Sequence, residues 1–226
     1  MDLKKLGFLL LAVFVFWSCS EDRPGFFISQ NKQNKIDDRA LVKYLEEHYF
    51  AEDGSVKVFS SKDKSDDHYT PLKELAEKAP EGYYVVKNPK HQAAGRSISD
   101  NQTDKILIQY NLQSLKALEQ KDSVYYLPST IVSTVNSTGL PEWDPVFYHT
   151  TKEAGSYEVK SIIEGLKKFK SSDKKANEEP YVNFQGLILV PSRLAYGRSS
   201  NPFNIKETDL SLILNFELYQ VVQRKE

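Results

Sequence analysis

Apolar residues recur along this chain with two different periods, and the switches between them outline its elements. Over 105–112 the run KILIQYNL alternates polar and apolar positions, which predicts a half-buried strand with Ile106, Ile108 and Tyr110 on one face. Over 157–169 the period becomes helical: Ile162, Ile163, Leu166 and Phe169 form a stripe suited to facing a core. Near the C-terminus the apolar run 187–190 enters a Pro191-Ser192 turn, passes Ala195-Tyr196-Gly197 and a polar loop, and returns as the strand LSLILNFELYQV over 210–221.

Weaker signals precede this block. Asp37-Asp38 is placed to cap a helix running to about Tyr49, with Leu41, Tyr44, Leu45 and His48 on one face. Residues 54–59, with SVKVF, read as a short strand, 62–67 as a charged loop, 72–79 as a short helix and 82–86 as another strand. The main domain is expected to begin near Asp104, which leaves 37–103 as an N-terminal extension of a helix and short strands. His48 on a helical face reads as a packed residue rather than a ligand.

The first residues carry a different pattern. Lys4 and Lys5 precede 6–17, apolar apart from Gly7, and then Ser18-Cys19. That is an export signal over 1–18, too short for the about 20 residues a membrane-spanning helix needs. Cys19 is the chain's single cysteine, so no disulfide is possible within it, and its position suits lipid attachment after cleavage. The polar stretch 19–36 reads as a flexible tether, and Ser20-Glu21-Asp22 resembles the acidic sorting tag of surface lipoproteins in Bacteroidetes. The expected location is the bacterial cell envelope, lipid-anchored on the periplasmic face or the cell surface.

Charge narrows the partners. The formal net charge is −1, and acidic and basic residues are interspersed, so nothing gathers nucleic acid. The four histidines, at 48, 68, 91 and 149, lack metal-ligand spacing, and no phosphate loop or nucleophile elbow occurs.

The segment LILVPSRLAYG, together with the final strand, resembles the C-terminal third of FKBP-type peptidyl-prolyl isomerases; the resemblance extends over about 104–222. It implies an α+β fold, a twisted antiparallel β-sheet wrapped around a short α-helix, here with an N-terminal helical extension. It also implies a site. Tyr196 matches the tyrosine that donates to the carbonyl of a bound prolyl segment, and Tyr110 a tyrosine lining the proline pocket. Aligning Glu164-Gly165 with the family's Glu-Gly-Leu helix puts Val159 where a backbone N–H holds the substrate carbonyl. Ile162 then stands where a tryptophan floors the pocket, and Leu214 where an aromatic closes it. Ile205 covers the top from the preceding loop.

Lys121-Asp122-Ser123 resembles the family's Phe-Asp-Ser-Ser element, with Asp122 as the residue that orients the pocket. Lys121 occupies the Phe position, so either the alignment slips by a few residues or that wall is missing. The interval before Val159 is long for the family and reads as a flap insertion over about 124–156. From it Trp143 and Phe147 could restore aromatic surface, or Trp143 could serve as a loop anchor. A second spacer, 171–180, reads as a solvated loop.

The resemblance therefore implies a monomeric, cofactor-free isomerase acting on proline-containing polypeptides during folding of exported proteins. The alternatives are a noncatalytic FKBP-like lipoprotein that binds a partner, and an envelope lipoprotein whose insertion fills the cleft.

Overall fold

The computed structural model describes residues 28–100, 104–137, 139–150, 157–175 and 182–224. The segment expected as an export signal, Cys19 and the expected tether up to residue 27 lie outside the described residues. Helix α1 spans Gln30–Glu47. It starts earlier than the sequence pattern predicts, because Ser29 is extended and its hydroxyl accepts the Lys32 N–H as an N-cap. Residues 30–36, expected in the tether, are therefore helical. Ile36, Ala40, Leu41, Tyr44 and Leu45 are buried along one stripe. His48 leaves the helix to begin β1 (His48–Phe50), which pairs with β2 (Val56–Val58).

The remaining strands form one antiparallel sheet. They are β3 (Ala76–Lys78), β4 (Tyr84–Lys87), β5 (Asp104–Gln120), β6 (Ser123–Ser133), β7 (Glu142–Trp143), β8 (Gly186–Val190) and β9 (Leu210–Gln223). The order is β3-β4-β8-β9-β5-β6, with β7 on β5. The segment 72–79 is one helical turn, α2 (Leu72–Leu75), followed directly by β3. Strands β3 and β4, from the 37–103 extension, thus join the sheet of the main domain.

Period-2 patterning divides the sheet into two buried faces. Ile106, Ile108, Tyr110 and Leu112 of β5, Ile188 and Val190 of β8, and Leu212, Leu214, Phe216 and Leu218 of β9 face one core. In that core lies α3 (Lys160–Leu166), shorter than the helical stripe suggests, contributing Ile162, Ile163 and Leu166. Gly165 lets it approach, since a Cβ there would come within 2.7 Å of the Ile188 Cδ1. The α+β arrangement of a sheet around a short helix is present.

The opposite face is also covered. Leu115 and Ala117 of β5, Leu187 and Leu189 of β8, and Ile213 of β9 pack against the α1 stripe. Each fully buried Leu or Ile on that stripe contributes roughly 1.5–3 kcal/mol. Strand β5, which reads as half-buried, is therefore buried on both sides over much of its length.

The segment read as an insertion begins as a regular strand, since β6 pairs with β5 from Gln120↔Ser123 to Asn111↔Ser133. The spacer expected to be solvated begins with a buried residue. Ser171, at 0% exposure, accepts the Gly95 N–H at its carbonyl and the Arg96 N–H at its hydroxyl.

Candidate functional site

Five of the expected site residues meet in the core around α3. Tyr110, Phe147, Val159, Ile162 and Leu214 are all buried in one cluster, and Tyr196 packs against it, half-buried. The Tyr110 and Phe147 rings meet edge to face at 5.1 Å and 90°. Phe147 thus supplies the aromatic surface that the sequence pattern assigned to the insertion. Trp143 does not: it stands 43% exposed beside the Lys105 ammonium, 5.2 Å from the ring.

The Tyr110 hydroxyl donates to Glu142 Oε2 at 2.6 Å. Burial first, then the Glu142 carboxylate, push that hydroxyl's pKa well above the ordinary tyrosine value. Strand β7 holds the contact in place through Ile108↔Glu142 and Leu107↔Trp143. Next along the chain, Asp144 Oδ1 accepts the Ile106 N–H at 3.0 Å and its Oδ2 pairs with Arg224 at 2.9 Å.

Asp122 is elsewhere. Lys121 and Asp122 both adopt left-handed backbone, φ 48° and 63°, as the two central residues of the turn between β5 and β6. From Tyr110 to that turn β5 runs on for about 30 Å at ~3.3 Å per residue. Asp122 is exposed, and its carbonyl accepts Arg39 Nη2 at 2.5 Å. The acid beside Tyr110 is Glu142, not Asp122. An acid-aromatic-acid triplet, Glu142-Trp143-Asp144, was the available signal in the sequence.

Both donors assigned to a substrate carbonyl are bonded within the chain. The Val159 N–H donates to the Phe147 carbonyl at 2.8 Å. The Tyr196 hydroxyl donates to the Tyr157 carbonyl at 3.0 Å, and burial raises its pKa above the usual tyrosine range. Tyr157 was not foreseen as part of the site, because a backbone acceptor leaves no trace in residue identity.

At the rim, Phe203 sits at 72° to the Tyr196 ring with centroids 6.2 Å apart. Ile205 is half-buried there, its N–H and carbonyl both bonded to the Asn201 side chain. Tyr196, Phe203, Ile205 and Ile131 border a hollow of only about 10 Å³. It shares Phe203, Ile205 and Ile131 with a groove of about 390 Å³ between that loop and the outer half of the β5–β6 hairpin. The arrangement is a packed apolar centre with one hydroxyl and one amide at its edge, each bonded to a carbonyl of the chain.

The chain matches no protein-family model and no curated protein. Among solved structures it is similar to FkpA from Escherichia coli, with a TM-score of 0.44 and 15% identity, covering 100% of this chain and 75% of that one. A peptidyl-prolyl cis-trans isomerase from Pseudomonas syringae aligns with a TM-score of 0.43 and 12% identity, over 88% of this chain and 100% of that one. For the N-terminal domain of FKBP42 from Arabidopsis thaliana the values are 0.41 and 15%, over 66% and 92%.

Proposed function

We propose that this chain is an FKBP-type peptidyl-prolyl cis-trans isomerase of the bacterial cell envelope. It is anchored by lipid at Cys19 and assists folding of exported proteins at X-Pro bonds. The observation that carries the reading is the meeting of Tyr110, Phe147, Val159, Ile162 and Leu214 in one buried cluster with Tyr196 at its rim. These residues come from separate stretches of the chain; Tyr110, Val159 and Tyr196 match pocket elements of the family, Ile162 and Leu214 stand where it has aromatics, and Phe147 comes from the segment read as an insertion.

The chemistry asked of such a site is light. An X-Pro bond isomerises over a barrier of roughly 18–20 kcal/mol that falls when the amide leaves planarity. A desolvated apolar surround favours the twisted, less polar amide, and a fixed donor holds its carbonyl. Tyr196 provides that donor by exchanging the Tyr157 carbonyl for the substrate's. One neutral hydrogen bond replaces another, each contributing about 1 kcal/mol. Ile162 gives an apolar but nonaromatic floor, so modest rates are expected.

A protease-coupled isomerisation assay on the full chain, with several residues preceding proline, tests the reading. Tyr196→Phe is expected to lower the catalysed rate about tenfold, the equivalent of ~1.4 kcal/mol. No acceleration over the uncatalysed rate by folded protein sinks it.

The bonding of the Val159 N–H and the Tyr196 hydroxyl within the chain favours a second reading, a noncatalytic FKBP-like lipoprotein that binds proline-containing segments. Saturable binding of a proline-containing peptide without any rate acceleration would select it.

A further inference from the structure

Across the sheet from the prolyl site, on the face that α1 covers, the apolar surface is interrupted by amides. Asn111 of β5 lies directly opposite Asn215 of β9, and Gln113 follows opposite Ile213. With Asn136 from the turn after β6, they line a cavity of about 210 Å³.

The amides are underused by the protein itself. Asn215 is 6% exposed and donates its Nδ2 to the Gly186 carbonyl at 3.0 Å and the Gly54 carbonyl at 3.3 Å. The buried Asn111 Oδ1 has no hydrogen-bond partner. Among the described residues, no hydrogen bond is made by the side-chain amides of Asn111, Gln113 or Asn136. Each offers two donor hydrogens and an acceptor oxygen, and a buried polar atom left unpaired in a folded chain calls for a partner.

The rest of the lining selects the partner's chemistry. Ser55 and Ser133 add hydroxyls, while Phe184, Val56 and Leu187 add apolar walls. Asp53 is the sole charged side chain around the cavity, and its Oδ1 accepts both the N–H and the hydroxyl of Ser55. A lone carboxylate disfavours anions. Strand β5 is paired on both sides here, Asn111 with Ser133 and with Asn215, so no free strand edge exists for a peptide to extend. Neutral polyols, with hydroxyls around apolar ring faces, fit the combination of amides and apolar walls.

Size agrees with this. The cavity holds the equivalent of about seven waters at ~30 Å³ each, room for one pyranose ring. It shares Tyr44, Val56 and Gln113 with an open hollow of about 450 Å³, into which further sugar units could extend. We infer that the amide-lined cavity between Asn111, Gln113, Asn136 and Asn215 binds a neutral hexopyranose unit, free or at the end of a glycan.

The inference stands apart from the prolyl reading. Titration calorimetry of the full chain with methyl glucosides, methyl galactosides and N-acetylglucosamine tests it. Saturable binding of at least one sugar is expected, weakened about tenfold by Asn111→Ala or Gln113→Ala, the loss of a hydrogen bond or two. Tyr196→Phe should leave the affinity unchanged. Asn136→Ala changes an exposed residue and serves where Asn111→Ala fails to fold. No saturable binding of any of these sugars by the folded chain overturns the inference, as does binding that persists unchanged in all three alanine variants.

Discussion

The carboxylate of Asp37 accepts the hydroxyl of Ser192 across 155 residues of sequence, with both residues at 0% exposure. Beside it, Asp38 accepts Arg193 Nη1 at 2.8 Å. Ser192 and Arg193 form the 3-10 turn Ser192–Leu194 that leads to Tyr196. Two adjacent acids on α1 thus hold the turn carrying the rim tyrosine, and Gln33 Nε2 steadies Asp37 from one helical turn earlier at 2.8 Å. The N-terminal helix is part of the scaffold of the site.

Asp37 should mark stability with a pH signature. Burial raises its pKa above the ordinary 3.8, against the lowering effect of the Ser192 and Gln33 hydrogen bonds. From pH 3.8 upward, until the folded group also ionises, the native state binds more protons than the unfolded one, so stability falls as pH rises. Asp37→Asn is expected to remove that fall, seen as urea midpoints that converge with wild type at low pH and exceed it at higher pH. Asp37→Ala, which leaves the Ser192 hydroxyl unpaired, is expected to cost about 1–3 kcal/mol.

The two acids linked to Tyr110, one by sequence and one by geometry, should behave differently. Glu142→Gln weakens the charge-assisted bond to the Tyr110 hydroxyl and is expected to lower stability by about 1 kcal/mol. Asp122→Asn, in a left-handed turn position that Asn tolerates, should stay within about 0.5 kcal/mol of wild type. It should also leave the isomerisation rate untouched. Urea unfolding and the isomerisation assay on both variants decide this, and an activity loss confined to Asp122→Asn would refute the assignment.

Ile162 is 0% exposed, in the same buried cluster as Tyr110 and Leu214. Ile162→Trp, which restores the aromatic of the family pattern, is expected to overpack the site and cost about 1–3 kcal/mol. A thermal midpoint at or above wild type would mean the cluster has room that the geometry does not show.

Gly186 sits where the chain leaves no room for a side chain. A Cβ there would come within 2.5 Å of the Val86 carbonyl oxygen and 2.6 Å of the Phe169 ring. Gly186→Ala must displace backbone or a buried aromatic, and is expected to destabilise the chain by about 1–3 kcal/mol in urea unfolding.

What the sequence by itself determined is local. The alternation over 105–112 and 210–221 and the helical stripe around Ile162 and Leu166 follow from backbone periodicity, which residue order displays directly. The Pro191-Ser192 turn placed Tyr196 at the rim for the same reason. Only the tertiary structure decided the rest. Whether Asp122 or Glu142 stands beside Tyr110 depends on how far β5 and β6 zip together beyond Leu112, a register summed over many weak pairs. That α1 covers the sheet, and that Asp37 finds Ser192, depends on packing and hydrogen bonds between segments far apart in sequence, 155 residues in the latter case. No local pattern encodes such a contact. The Val159 N–H and the Tyr196 hydroxyl likewise take carbonyls of the chain itself, and every residue has a carbonyl, so only the folded arrangement selects which ones.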